Sequence, residues 1–284
     1  VCSSYLVKTS SLPQSTGGNG DSDNDYTYIV GGDHYPDIFS GRFSAETVAE
    51  LQTQVDRSIA YEKNPPAGTW HKTGIGIGSQ YGAGQGYHNL ADWDHERHIR
   101  SELMNYTYSN VYELYEGSRG GMDAAGDPSA ADLSAALNSG AGVLNYTGHG
   151  NVTLIATTGF NNTNVAALQN DNMLPFIWIV GCQVGNFKTN YCFSEAWMRN
   201  THNGNPIGAI ANMGSTVNQD WAEPMAAQIE FNRLLTDSLP SNIKHTFGGI
   251  SFNGLMFMND VYGATGVDMT DTWTLFGDPS IVVR

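Results

Sequence analysis

The sequence predicts an α/β domain built on a mostly parallel sheet covered by helices. Two observations carry this expectation. From Trp70 onward, strand-like and helix-like segments alternate along the chain. Several of the strand-like segments, Phe176-Ile177-Trp178-Ile179-Val180 above all, are near-continuous apolar runs of the kind buried on both faces of a parallel sheet.

Taken in order, residues 4–7 (Ser-Tyr-Leu-Val) read as a strand. Residues 9–25, rich in Ser, Gly, Asn and Asp, read as an exposed loop. Residues 26–30 and 38–43 read as strands around a turn at 33–37. Ser44 is a candidate N-cap for a helix to about Tyr61, with Val48, Leu51, Val55 and Ile59 at helical spacing. Asn64-Pro65-Pro66 ends that helix, and with Ala67-Gly68 it marks a boundary between a partial amino-terminal subdomain, 1–66, and a catalytic subdomain, 67–284. Beyond it come a Gly-interrupted strand at 72–78, a helix at 93–105 and a strand at 111–115. Asp127-Pro128 opens a helix to Leu137. A strand into His149, a short helix near 164–168, a strand into Cys182, a strand at 207–213 and a helix at 221–236 follow. The tail reads as strands near 255–262 and 273–277. There are no internal repeats.

Composition narrows the function. The 284 residues are 40% hydrophobic but only 14% charged, against about 25% in an average soluble protein. The net charge of −15 argues against nucleic acid as a partner, since its phosphates need a basic face. It suits a cationic substrate, calcium binding or export, although plain solubility explains it more simply. The three cysteines, Cys2, Cys182 and Cys192, are an odd count, so they cannot close a disulfide framework among themselves. No apolar run is long enough to span a bilayer. No signal peptide begins at Val1, so an exported protein would be represented here by its processed form.

Functional groups in such sheets gather at the carboxyl ends of strands. Two blocks share one shape there: Val143-Leu144-Asn145-Tyr146-Thr147-Gly148-His149-Gly150, and Phe176-Ile177-Trp178-Ile179-Val180-Gly181-Cys182-Gln183. Each is an apolar strand, a glycine and one reactive side chain. Alone, Cys182 reads more simply as a buried structural cysteine, and His149 as a satisfied polar residue. Together they supply a thiol and the base or cation that a thiolate needs. The flanking glycines let a substrate carbonyl approach, and the N–H groups of Gly150 and Cys182 are candidates for an oxyanion hole.

These blocks resemble the gingipain family of cysteine peptidases and, more distantly, caspases, legumain and clostripain. The likeness extends to Gly32-Asp33-His34-Tyr35, Gly41-Arg42-Phe43-Ser44, Leu174-Pro175-Phe176, Cys192-Phe193-Ser194-Glu195-Ala196, Thr246-Phe247-Gly248-Gly249 and Phe276-Gly277-Asp278-Pro279-Ser280. The resemblance implies a caspase-like α/β/α sandwich and a secreted or cell-surface bacterial endopeptidase made as a zymogen. Cys182 would attack the scissile carbonyl and His149 would protonate the leaving amine. Cys192 falls at a second, non-catalytic cysteine and reads as a packed thiol. Asp92, in Ala91-Asp92-Trp93-Asp94-His95-Glu96, takes the place of the carboxylate at the base of the S1 pocket; its simpler reading is a helix N-cap. Trp221 and Met225 match the residues that wall that pocket, with Thr147 and Gln219 beside it. A carboxylate there selects a guanidinium, which it can pair bidentately, and an indole can stack on it. Cleavage after Arg is therefore expected, with Lys second.

The sequence departs from the family where a carboxylate stands behind the catalytic His: that position falls at or near Tyr81, which is not an acid. The chemistry needs no cofactor. Structural calcium near Asp33 and Asp37 is a further expectation, partly from the resemblance. Gly74-x-Gly76-x-Gly78 lacks dinucleotide-loop spacing. His88, Asp92, Asp94, His95 and His98 read better as a solvated helix start than as a zinc cluster. Peptides with basic residues are the expected partners, together with a separate amino-terminal fragment or propeptide. The alternatives are a self-processing peptidase of narrow specificity on the same fold, and a catalytically silent binding or adhesin domain.

Overall fold

The computed structural model describes residues 10–14, 19–188 and 191–283. A hairpin of β1 (Ser10–Pro13) and β2 (Asn19–Ser22) comes first, then helix α1 (Val48–Lys63). Next β3 (Thr73–Gly78), α2 (Asp92–Tyr106), β4 (Asn110–Tyr115), α3 (Ala130–Asn138) and β5 (Val143–Thr147) alternate. The short strands β6 (Gly150–Asn151), β7 (Leu154–Ile155) and β8 (Phe160–Asn161), with α4 (Asn162–Ala166), lead to β9 (Phe176–Val180) and α5 (Phe193–Arg199). A second short hairpin, β10 (Thr201–His202) and β11 (Asn205–Pro206), precedes β12 (Ala211–Ser215). The chain ends through α6 (Ala222–Leu235), α7 (Phe247–Tyr262), α8 (Ala264–Thr272) and β13 (Trp273–Phe276).

The central sheet has six strands in the order β13-β12-β9-β5-β3-β4. All its pairings are parallel except that of the edge strand β13 with β12. Side chains alternate across it, as the pleat requires. Val143, Phe176, Trp178, Val180 and Met213 pack with α2, α6, α7 and α8 on one face. Leu144, Tyr146, Ile177 and Ile179 pack with α3, α4 and α5 on the other. This is the mostly parallel, helix-covered sheet that the alternation of elements predicts, in the α/β/α sandwich that the family resemblance implies. The glycines of β3 have a packing reason: a Cβ on Gly78 would lie 2.5 Å from Trp93 Cα, so the start of α2 rests directly on the strand.

The front of the chain differs from expectation. The strand expected at 4–7 lies outside the described residues. The loop expected at 9–25 contains the β1–β2 hairpin. Beyond it Asn24 is buried, its amide donating to the carbonyls of Thr270 and Trp273. Residues 26–30 form no strand, and Ile29 and Val30 are exposed. Only Arg42 of the segment 38–43 bridges to the sheet, beside Phe276. Helix α1 is capped by Thr47, not Ser44, in a capping box with Glu50. Its buried residues are Gln54, Arg57, Ser58 and Tyr61, while Val48 and Ile59 of the apolar stripe face outward. The strand expected near 255–262 is the second half of α7. Among the described residues no helix is long and apolar enough to cross a membrane.

Candidate active site

Register brings the two reactive residues together. In the sheet, Thr147 pairs with Val180, Gly78 with Thr147 and Gly214 with Ile179. His149 and Cys182 therefore leave neighbouring strands at the same level, flanked by the loop after β3 on one side and the loop after β12 on the other. A small cleft of about 30 Å³ opens there, lined by residues 147–149, 180–182 and 219–221.

Cys182 is half-buried and free of any disulfide. The chain turns sharply after it, with Gln183 at φ +58°, and the Gln219 N–H points at Sγ from 3.5 Å. Among the described residues no acceptor takes the Cys182 N–H. Gly150 packs against this turn: a Cβ there would lie 3.1 Å from the Cys182 carbonyl oxygen and 3.4 Å from its nitrogen. Only glycine keeps that approach open. Gly181 likewise sits against the Gly148 carbonyl.

His149 is exposed and held edge-on between two aromatic rings. Its centroid is 5.1 Å from Tyr81 and 5.3 Å from Trp221, with interplanar angles of 61° and 86°. Among the described residues no carboxylate is hydrogen-bonded to it. Glu116 is spent on the loop just ahead of Tyr81, accepting from the Gln80 N–H at 3.0 Å and from its Nε2 at 2.9 Å.

Asp92 is the first residue of α2 and not its N-cap, which is Ala91. Its carboxylate is wholly buried. Oδ1 accepts from Trp221 Nε1 at 2.7 Å and Oδ2 from Ser79 Oγ at 2.5 Å. Burial pushes its pKa up to about 6, against the opposing pull of the two hydrogen bonds and of His149. Gly82, at φ +81°, closes the cage from behind: a Cβ would lie 2.5 Å from Asp92 Oδ1 and 2.4 Å from Trp221 Nε1. Asp92 thus sits behind the Trp221 indole and not on the wall of the cleft. Ser79 and Gly82 lie in a stretch the sequence marks only as polar and Gly-rich, so their part in holding Asp92 was not legible.

The other expected S1 residues scatter around this centre. Met225 is fully buried on α6, its Sδ and Cε against Gly86. Thr147 turns its hydroxyl inward, to Glu96 and Gln228. Gln219 reaches Cys182 with its backbone, while both polar atoms of its side chain are buried without a partner. Cys192 is fully buried at the start of α5, and burial drives its thiol well above the usual range.

The calcium expectation does not fit the acids named for it. Asp37 Oδ2 accepts from the N–H groups of Ile29 and Val30, and Asp33 Oδ1 from that of Tyr35. They serve turns. Among the described residues no group of three or more His, Cys, Asp or Glu side chains is arranged to hold a metal ion. The histidine-rich start of α2 is no exception, since His95 is buried against Gln228 and desolvation lowers its pKa to about 4.

A model of peptidase family C25 matches residues 3–284. Gingipain R2 of Porphyromonas gingivalis is 42% identical over 267 residues, which is 93% of this chain and 35% of that protein. Lys-gingipain HG66 of the same organism is 28% identical over 245 residues, 84% of this chain and 13% of that protein. The crystal structure of the Arg-specific cysteine proteinase gingipain R superposes with a TM-score of 0.87 at 40% identity, covering 93% of this chain and 60% of that one. A complex of the pro- and mature domains of P. gingivalis RgpB matches with a TM-score of 0.86 at 41% identity, over 93% of this chain and 61% of that one. The chain thus spans about a third of the length of Gingipain R2 and about three fifths of these solved chains.

Proposed function

The chain belongs to peptidase family C25, and from that premise we propose that it is a cysteine endopeptidase that cleaves after arginine. One observation carries the reading: Cys182 and His149 line a single cleft whose wall, Trp221, is bonded to the buried carboxylate of Asp92. In this reading the Cys182 sulfur adds to the scissile carbonyl. The N–H groups of Cys182 and Gly150 take the oxyanion. His149 gives its proton to the leaving amine, and water then hydrolyses the thioester. No cofactor is needed for these steps.

Specificity follows from Asp92. A guanidinium entering the pocket would displace the Trp221 N–H from Oδ1, pair with the carboxylate, and find the indole face beside it. Greater likeness to gingipain R2 than to Lys-gingipain HG66 supports arginine over lysine. Thr147, Gln219 and Met225 then act mainly as supports, through backbone and packing. A propeptide is the proposed regulatory partner, in line with the solved pro- and mature-domain complex of a relative. A secreted or cell-surface location is proposed from the same kinship.

The test compares wild type with Cys182→Ala on arginyl and lysyl amide substrates. The expected result is arginyl hydrolysis by the wild type alone. Equal turnover by the two proteins would overturn the cysteine-peptidase reading, and none by either would leave the silent binding domain as the better reading.

A further inference from the structure

One helical turn beyond Asp92 on α2 lies a second buried carboxyl, Glu96, which the chemistry above does not use. We infer that Glu96 is a neutral carboxylic acid that donates its proton to Thr147, and that this bond positions the S1 carboxylate relative to the general acid. The positioning role rests on the peptidase reading; the protonation stands on geometry.

The geometry is a count of protons. Gln228 Nε2 donates to the Tyr146 carbonyl at 3.1 Å. A carbonyl can only accept, so the amide cannot be flipped, and Gln228 Oε1 must be an acceptor. That oxygen faces Thr147 Oγ1 at 2.6 Å and His95 Nε2 at 2.9 Å. Thr147 Oγ1 also lies 2.8 Å from Glu96 Oε1. A hydroxyl has one proton and cannot donate along both contacts. The 2.6 Å contact to Gln228 joins two oxygens of which only Thr147 carries hydrogen, so the proton lies there. The contact to Glu96 then needs a proton from the carboxyl.

The surroundings agree. Glu96 Oε2 has no partner, nor has the buried Tyr115 hydroxyl, and both lie beside the position a Cβ would take on Gly76, at 3.3 and 3.7 Å. The ionisable groups that act on Glu96 are Asp92 and Tyr115, neither a cation; His95 faces Gln228, where burial disfavours its charged form, and Arg97 and Arg100 are engaged with Glu113. Desolvation raises the Glu96 pKa well above the ordinary range; the contacts to Thr147 and Gln228 oppose it and the charge of Asp92 adds to it. A bare carboxylate here would be buried, half-satisfied and next to a second anion.

The arrangement joins the elements that hold the site. Glu96 sits on α2 below Asp92, Thr147 ends β5 just before Gly148-His149, and Gln228 is on α6, whose start carries Trp221 and Met225. A neutral Glu96 ties these elements together without placing a second negative charge against Asp92.

Two variants test it. Glu96→Gln keeps a donor toward Thr147 and adds no charge; Glu96→Met removes the donor. In the infrared difference spectrum of wild type minus Glu96→Gln at about pH 8, where Asp92 is ionised, a lost carbonyl stretch of an undissociated acid is expected. A lost carboxylate band instead would overturn the protonation. Glu96→Gln should keep the wild-type KM for an arginyl amide. Glu96→Met should raise it about ten-fold, the worth of one buried hydrogen bond, with little change in kcat. Alkylation of Cys182 by iodoacetamide, which does not use the S1 pocket, should proceed at the wild-type rate in both. An unchanged KM in Glu96→Met, or parallel loss of kcat and alkylation, would overturn the positioning role. A wild type that hydrolyses nothing would sink the peptidase reading and leave the infrared result to decide Glu96.

Discussion

The indole Nε1 of Trp221 donates a 2.7 Å hydrogen bond to Oδ1 of Asp92, a residue 129 positions earlier in the chain. The bond shields the carboxylate from the cleft and supplies one of its two neutral donors, Ser79 being the other. An arginine side chain would therefore compete with an internal ligand already in place.

Replacing that ligand should shift a pH profile. Trp221→Phe keeps a ring but removes the N–H. The ionised form of Asp92 loses a donor, so its pKa rises above about 6. Only the ionised form pairs with a guanidinium. The acid limb of kcat/KM for an arginyl amide should thus move to higher pH in the variant. Rates measured from about pH 5 to 9 would show this, and coincident acid limbs would separate Asp92 from specificity.

Asp92 should also cost stability in its working state. Its folded pKa, about 6, lies above the unfolded value of about 3.9. The folded protein therefore binds its proton more tightly, and stability gained from protonation is lost as pH rises through about 6. At neutral pH the ionised group costs up to about 3 kcal/mol, two pKa steps of 1.36 kcal/mol each. Asp92→Asn should melt at or above the wild-type temperature near pH 8 while losing arginine preference. Thermal melts at pH 8 and pH 5 provide the check: the advantage of Asp92→Asn should shrink at the lower pH.

Tyr81 should matter for turnover more than for binding. Its ring stands at the His149 edge where the family resemblance places an acid. An aromatic contact of this kind is worth about 0.5–1.5 kcal/mol, so Tyr81→Ala should lower kcat by up to about ten-fold with KM little changed. Tyr81→Phe keeps the contact and should retain wild-type kcat. Equal kcat in all three proteins would remove the ring from the positioning of His149.

The two described cysteines should differ in reactivity. Cys182 is half-buried and opens on the cleft, whereas Cys192 is sealed with its thiol held protonated. Brief iodoacetamide treatment of the native protein should modify Cys182 and spare Cys192 until the protein is unfolded, as read by peptide mass spectrometry. Native labelling of Cys192 would contradict its packing.

Much of this was legible in the chain. The strands that became β5 and β9 are apolar without interruption because both their faces are covered, and that pattern survives any tertiary detail. The second half of α7 reads as a strand because Leu255-Met256-Phe257-Met258 is an unbroken apolar run, which carries no period to distinguish helix from strand. The segment 26–43 was misread for a different reason. Its aromatic residues look strand-like, yet they are held by contacts with α7 and α8, as where Phe39 stacks on Phe252 and Tyr28 bonds to Asp271. The stripe on α1 follows helical spacing, but its ends Val48 and Ile59 are exposed, and the buried face carries Arg57, which turns inward to the Trp197 and Ala209 carbonyls.

By itself the sequence determined the alternation of elements, the placement of a thiol and an imidazole after two glycine-ended apolar strands, and an acid and an indole on either side of them in the chain. These depend on residue type and short spacing. Only the tertiary structure decided that Trp221 bonds to Asp92, that Tyr81 and Trp221 grip His149, and that the Thr147 hydroxyl turns inward to Glu96 and Gln228. Each of these joins residues from different strands and helices. Which way a buried hydroxyl or carboxylate turns is fixed by the donors and acceptors that the sheet register brings within about 3 Å, and no local stretch of sequence carries that information.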